Sequence, residues 1–250
     1  MSESVRRVVG LLDTLARAEH DLTVRELAAQ VDLSKSAAQR MLSALVETGL
    51  AVQDPTSRRY GLGPLTLVLG TAYQRRIDLR SLAAGPMTAL RDLTGETVGL
   101  SVMVGEELLH VDQVESRSEL RRTFEIGKPL PLWAGAPSRV LLADLPDEDV
   151  ERIVRAHRPS TVVPAAPPSA EVLIASVREC RHRGWGVALE ETIPGVNTVA
   201  APVRRQDGGT VATISITGPA NRVDPERIAA MVPDLLRATG EVSRLLGYAG

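Results

Sequence analysis

Val5, Val8, Val9, Leu12, Leu15 and Ala16 recur at steps of three and four residues, with Arg6, Arg7, Asp13 and Arg17 between them. That spacing predicts an amphipathic helix, because residues three and four apart share one face. A second helix opens at Thr23-Val24-Arg25-Glu26, a capping box in which the threonine hydroxyl accepts the Glu26 amide proton while the carboxylate reaches back; it continues through Val31. The break Asp32-Leu33-Ser34 offers a hydroxyl cap for a third helix, from residue 35 to about residue 48. Its apolar stripe is Ala38, Met41, Leu42, Leu45 and Val46, and its stop is Gly49. Residues 50–53 and 58–62, joined through Asp54-Pro55-Thr56-Ser57, predict a two-stranded ribbon.

A helix over about residues 64–76 leads into Arg75-Arg76-Ile77-Asp78-Leu79-Arg80, where the pattern changes, so residues 1–77 and 78–250 are expected to form separate domains. A helix over about 79–93, tolerating Gly85-Pro86, precedes strands near 96–104 and 108–115 joined by the turn Gly105-Glu106-Glu107. Residues 124–132 read as extended. Helices follow near 137–144 and 146–157, the second with Asp147, Glu148 and Asp149 at its positive end and Arg155, His157 and Arg158 at its negative end. After a proline-rich loop over 159–168, Ser169 caps a helix to about residue 183. Strands near 185–191, 197–205 and 210–218 precede a last helix from Asp224-Pro225, expected to be interrupted or kinked near Pro233. Antiparallel strands with segregated helices predict an α+β domain rather than a doubly wound sheet.

Two hundred and fifty residues suit two modest domains. The formal net charge of −2 supplies no global basic field, so any nucleic-acid contact must come from a local patch. Six aromatic residues, Tyr60, Tyr73, Phe124, Trp133, Trp185 and Tyr248, are too few and too scattered for a base-stacking platform. The single cysteine, Cys180, cannot form an intramolecular disulfide and favours a reducing compartment. Asp13 ends the first apolar run short of a signal-peptide core, and no run reaches the length of a membrane span. A cytoplasmic protein without a membrane partner is expected.

Three short helices and a ribbon make an N-terminal all-α winged helix-turn-helix, in which the third helix enters the major groove and the ribbon meets the backbone or minor groove. Opposite the buried stripe of that helix stand Lys35, Ser36, Ala37, Gln39, Arg40 and Ser43 after the Ser34 cap, with Arg58 and Arg59 on the ribbon. Gln39 suits an adenine edge, and Arg40 suits a guanine or a phosphate. These residues are the candidate contacts to a double-stranded DNA operator.

Leu27-Ala28-Ala29-Gln30-Val31-Asp32-Leu33-Ser34-Lys35-Ser36, Gln39-Arg40-Met41-Leu42 and Arg59-Tyr60-Gly61-Leu62-Gly63 resemble the DNA-binding domain of the IclR family of bacterial transcriptional regulators. The match continues through Gly127-Lys128-Pro129-Leu130-Pro131-Leu132, Gly184-Trp185-Gly186-Val187, Ala200-Ala201-Pro202-Val203 and Ile214 to Pro219. The resemblance implies a GAF-like effector-binding domain over 78–250, operator binding modulated by a small-molecule metabolite, and dimers often paired into tetramers. By the same resemblance the effector meets Trp133, Ala134, Gly135, Ala136, Trp185, Ala188, Thr198, Ser215 and Thr217, although by residue type alone Trp133 and Trp185 read first as core anchors. Ala188 stands where many members carry aspartate, Thr198 where many carry cysteine, and Ser138, after Pro137, where glycine is usual. With Trp133 beside the pocket, these departures point to a bulkier, less polar effector than a small oxoacid.

A sensor acting through protein contacts would want apolar residues at the centre of the third helix's outer face, which are missing. No glycine-rich phosphate loop, nucleophile elbow or metal-ligand cluster supports an enzyme, and no cofactor or metal is expected. His110 and Asp112 are expected on the same side of one strand but lack a third ligand. Glu190 and Glu191 are expected on opposite faces of a strand, and Cys180 on the buried face of its helix. Arg121 is a weak candidate for a carboxylate on the pocket rim.

Overall fold

The computed structural model describes residues 3–76, 79–156, 163 and 168–249. His157, Arg158 and most of the expected 159–168 loop lie outside these residues, as do the side chains of Tyr73, Arg75 and Arg76. The chain divides into two compact units, residues 1–78 and 79–250.

In the first unit, α1 (Glu3–Arg17), α2 (Val24–Gln30) and α3 (Lys35–Glu47) precede β1 (Ala51–Gln53), β2 (Tyr60–Leu62) and α4 (Pro64–Arg76). The Thr23 capping box forms with both of its hydrogen bonds, and the Ser34 hydroxyl accepts the Ala37 amide proton. Antiparallel pairing joins Ala51 to Leu62 and Gln53 to Tyr60, and Leu22 exchanges two backbone hydrogen bonds with Tyr60 on the other side. Leu11, Leu15, Leu27, Leu42, Leu45 and Tyr60 form the core. The buried stripe of α1 differs from the expected one: Leu11 and Leu15 face inward, while Val5 and Val9 are more than half exposed. Two apolar stripes interleave on this helix, and the one that meets α2 and the ribbon wins.

The second unit comprises α5 (Leu79–Thr94), β3 (Thr97–Val104), β4 (Glu107–Val114), β5 (Pro129–Pro131), α6 (Gly135–Leu142), α7 (Asp147–Ala156), α8 (Ala170–Arg183), β6 (Gly186–Leu189), β7 (Val196–Arg204), β8 (Thr210–Pro219) and α9 (Pro225–Leu245). The strands form one antiparallel sheet in the order β5-β4-β3-β8-β7-β6. One face presents Val98, Leu100, Val199, Ala201, Ile214 and Ile216 to α5 and α9. Because side chains alternate, the other face carries small and hydroxylated residues. Register aligns Ala188, Thr198, Thr217 and Thr97 in one row, and Gly186, Ala200, Ser215 and Gly99 in the next. Helix α6 packs on this face so closely that a Cβ on Gly186 would stand 2.9 Å from the Ala136 carbonyl oxygen.

Helix α9 runs through Pro233 as one element rather than breaking there. Met231, Leu235, Ala238 and Val242 bury its inner face, which offsets the hydrogen bond a mid-helix proline forfeits.

Candidate functional site

The outer face of α3 is built by its cap and its stripe. With Ala38, Leu42 and Leu45 buried, Lys35, Ser36, Arg40 and Ser43 are left exposed, and Ala37 half-buried. Gln39 is placed differently from expectation: its amide is half-buried and donates to the Tyr60 hydroxyl at 2.9 Å, tying α3 to the ribbon instead of projecting outward. The ribbon arginines diverge as well. Asp54 organises the turn, accepting from the Ser57 amide at 2.6 Å, and these hydrogen bonds hold its carboxyl below the usual range. Arg58 sits there in the left-handed region at φ 61° and is exposed. Arg59 turns back to donate to the Asp21 carbonyl at 2.8 Å and lies 3.4 Å from Glu26.

Arg25, in the first turn of α2, is exposed and was not among the sequence candidates. A basic residue just inside the helix that precedes the recognition helix was the available signal. Among the described residues, no carboxylate lies within ion-pair distance of Arg25, Lys35, Arg40 or Arg58, in contrast to Arg7, Arg17 and Arg59.

In the second unit a cavity of about 60 Å³ opens on the small-residue face of the sheet. Its apolar wall includes Leu108, Leu130, Ala134, Pro137, Ile193 and Val196. Its polar groups are Thr192, Thr198, Thr217, His110 and Arg122. The Thr198 and Thr217 hydroxyls satisfy each other at 3.1 Å. Phe124 also lines the cavity and lies over Gly99, where a Cβ would approach its Cε2 to 2.6 Å; only glycine leaves room for the ring. His110 stacks on Phe124 with centroids 4.0 Å apart, and its Nδ1 shares a hydrogen bond with Ser101 Oγ at 2.8 Å. Burial, with a smaller contribution from the charge on Arg122, pushes the His110 imidazole down to about 4, so it is neutral at physiological pH.

Side-chain clamps hold the segments around the cavity. Gln113 accepts the Phe124 amide proton at 2.7 Å and donates to the Phe124 carbonyl at 3.2 Å, acting as a strand partner for that residue. Arg222 makes a two-pronged pair with the buried Glu96 at 2.5 and 2.9 Å and also donates to the Leu120 carbonyl. Arg139, buried on α6, pairs bidentately with Glu191 at 2.5 and 2.7 Å and so fixes the turn that carries Thr192 and Ile193. Glu190 and Glu191 therefore lie in a turn after β6 rather than on a strand. The Glu190 carboxylate accepts the Gly195 amide proton.

Of the residues expected to meet an effector, Ala134, Gly135, Thr198 and Thr217 line the cavity. The others are placed elsewhere. Trp133 is buried with Leu132, Leu141, Leu173 and Val177 in the core beneath α6 and α8. Ala136 and Ala188 pack with Val140, Cys180 and Ala200. Trp185 is half-buried under the Arg183 guanidinium, 3.9 Å from its ring centroid. Ser215 is fully buried behind Phe124, on the row of Gly99, and its hydroxyl has no hydrogen-bond partner among the described residues.

Arg121 pairs with Glu115 at 2.8 Å, and it is the neighbouring Arg122 that reaches the cavity. His110 and Asp112 face opposite sides, because a bulge between Leu100 and Ser101 shifts the register of β4. His110 pairs with Ser101 on the cavity face, whereas Asp112 pairs with Leu100 and meets Arg80 of α5 at 3.4 Å. The Cys180 thiol is buried and pushed up to about 11, which leaves it unreactive. No group of three or more His, Cys, Asp or Glu side chains able to hold a metal occurs among the described residues, and no helix among them is long and apolar enough to cross a membrane.

Two family models match the chain: the IclR helix-turn-helix domain over residues 4–55, and the bacterial transcriptional regulator IclR C-terminal domain over residues 71–244. The HTH-type transcriptional regulator XynR of Escherichia coli is 29% identical over 246 residues, covering 98% of each protein. The HTH-type transcriptional regulator BhcR of Paracoccus denitrificans is 30% identical over 95% of this chain and 85% of its own length. Among solved structures, an IclR transcriptional regulator from Silicibacter sp. TM1040 superposes with a TM-score of 0.88 at 22% identity, covering 98% of this chain and 97% of its own. An IclR homologue from Microbacterium hydrocarbonoxydans, solved with 4-hydroxybenzoate, superposes with a TM-score of 0.76 at 20% identity over 98% and 99% of the two chains.

Proposed function

The chain belongs to the IclR family of bacterial transcriptional regulators, and from that premise we propose how it reads DNA and what controls it. Residues 1–77 bind the operator and residues 78–250 bind a small metabolite and oligomerise; the working form is a cytoplasmic dimer, or a pair of dimers, on an inverted repeat. Lys35, Ser36, Ala37, Arg40 and Ser43 meet the major groove, with Ser34 capping the helix that carries them. Arg58 meets the backbone beside the groove, and Arg25 reaches a phosphate at the start of α2. Gln39 and Arg59 serve by fixing the ribbon against α3 and α2.

One observation carries the reading of the DNA face: among the described residues its cations Arg25, Lys35, Arg40 and Arg58 have no carboxylate within ion-pair distance, whereas Arg59 on the same ribbon pairs with Glu26. Exposed charges left free beside a capped, small-residue helix suit a polyanion that supplies the missing partners.

The cavity beside Phe124 is proposed as the effector site, with Ala134, Gly135, Thr198 and Thr217 on its wall. Trp133, Ala136, Trp185, Ala188 and Ser215 support that wall or lie away from it. Selection of bound sites from a random pool of duplex DNA by the full chain tests the proposal. One inverted-repeat motif should be enriched, with half-sites about one helical turn apart. Recovery of no motif would overturn the reading.

A further inference from the structure

Arg122 is half-buried on the cavity wall and supplies the only charged side chain lining it among the described residues, His110 being neutral there. It also forms no ion pair among the described residues. Glu125, three residues on, is paired with Lys128 at 2.8 Å, and no carboxylate among the described residues lies in ion-pair range of Arg122. Its guanidinium rests 5.5 Å from the Phe124 ring centroid, a contact that attracts the cation but cannot neutralise it. Burial pulls its pKa below the usual arginine value, and the charge of Glu125 offsets part of that effect. Elsewhere in the unit, the buried and half-buried arginines Arg91, Arg139, Arg183, Arg204 and Arg222 each pair with a carboxylate, Arg139 and Arg222 bidentately.

We infer that Arg122 sets the charge of the ligand this cavity accepts, and that the ligand is a compact monocarboxylate whose carboxylate meets the guanidinium and whose apolar body lies against Phe124 and Ile193. A planar carboxylate matches the guanidinium fork with two parallel hydrogen bonds. A dianionic phosphate ester would leave one charge uncompensated in a mostly apolar cavity whose Thr198 and Thr217 hydroxyls already bond to each other. Size points the same way. The cavity's 60 Å³ is well below the ~150 Å³ that admits a benzene ring, and Trp133, which argued for a bulkier effector, is not on the wall.

The inference rests on the reading of this cavity as the effector site, and the test separates the two. Acid and amide pairs, butyrate with butyramide and pyruvate with pyruvamide, are titrated calorimetrically into the full chain and into Arg122→Met and Arg122→Lys. Affinity for DNA of the selected motif is followed in parallel. At least one acid should bind the wild type about tenfold or more tightly than its amide, the preference expected of a charged hydrogen-bonded pair. Arg122→Met should abolish that preference and Arg122→Lys should retain part of it. An amide that binds as tightly as its acid while changing DNA affinity would overturn the role of Arg122 and leave the effector reading standing. An acid that depends on Arg122 but leaves DNA affinity unchanged would support Arg122 and contradict the effector reading. Failure of every acid to bind would overturn the inference.

Discussion

At the scale of single residues, the polar groups placed by tertiary neighbours are the ones local sequence could not locate. Gln39 falls on the outer face of α3 by helical spacing, yet the Tyr60 hydroxyl, 21 positions away, draws its amide inward. Arg121 and Arg122 are indistinguishable in a pattern, and only the clamp of Gln113 on the Phe124 backbone decides which one faces the cavity. Trp133 and Trp185 were legible as large apolar groups but not as to which space they fill.

His110 gives a measurable consequence at this scale. The unfolded chain takes up a proton near pH 6.5, whereas the buried imidazole refuses it until about 4. Stability therefore falls as pH drops through that interval, by about 2 kcal/mol at pH 4.5. Urea unfolding at pH 7 and 4.5 should show this extra loss for the wild type and not for His110→Gln. Equal losses in the two proteins would mean that His110 titrates normally.

At the scale of elements, boundaries set by caps and turns were readable, and faces set by packing partners were less so. Thr23, Ser34, Ser169 and Asp224 each cap the helix expected from them, because a cap is a local hydrogen bond. The buried stripe of α1, the continuity of α9 through Pro233 and the bulge that separates His110 from Asp112 depend on what each element packs against. The ribbon supplies a test of such placement. Because Arg58 occupies the left-handed region, Arg58→Asn removes its charge with little backbone strain. That variant should weaken binding to all DNA sequences and lower the salt slope by about 1. Arg59→Ala should leave the slope unchanged, since its guanidinium is held by Asp21 and Glu26. Equal effects of the two substitutions would place both side chains on the phosphates.

At the scale of the molecule, the scarcity of aromatic residues and the weak net charge narrowed the possibilities before any fold was known, leaving duplex DNA read by a local patch. The order of elements carried the α+β architecture because antiparallel strands joined by short turns need no crossover helices. The cavity was the least legible feature. It is assembled from β4, β7, β8, the start of α6 and the segment carrying Arg122 and Phe124, whose proximity no local spacing encodes. Sequence reading by α3 through Arg40 is tested by an equilibrium titration of the full chain and of Arg40→Ala. Each is titrated against the selected DNA motif and a scrambled duplex of equal length. Wild type should favour the motif by about a thousandfold or more, and Arg40→Ala, folded as judged by circular dichroism, should lose most of that preference while keeping its affinity for the scrambled duplex. Superimposable isotherms for the two proteins would mean that Arg40 takes no part in reading the sequence.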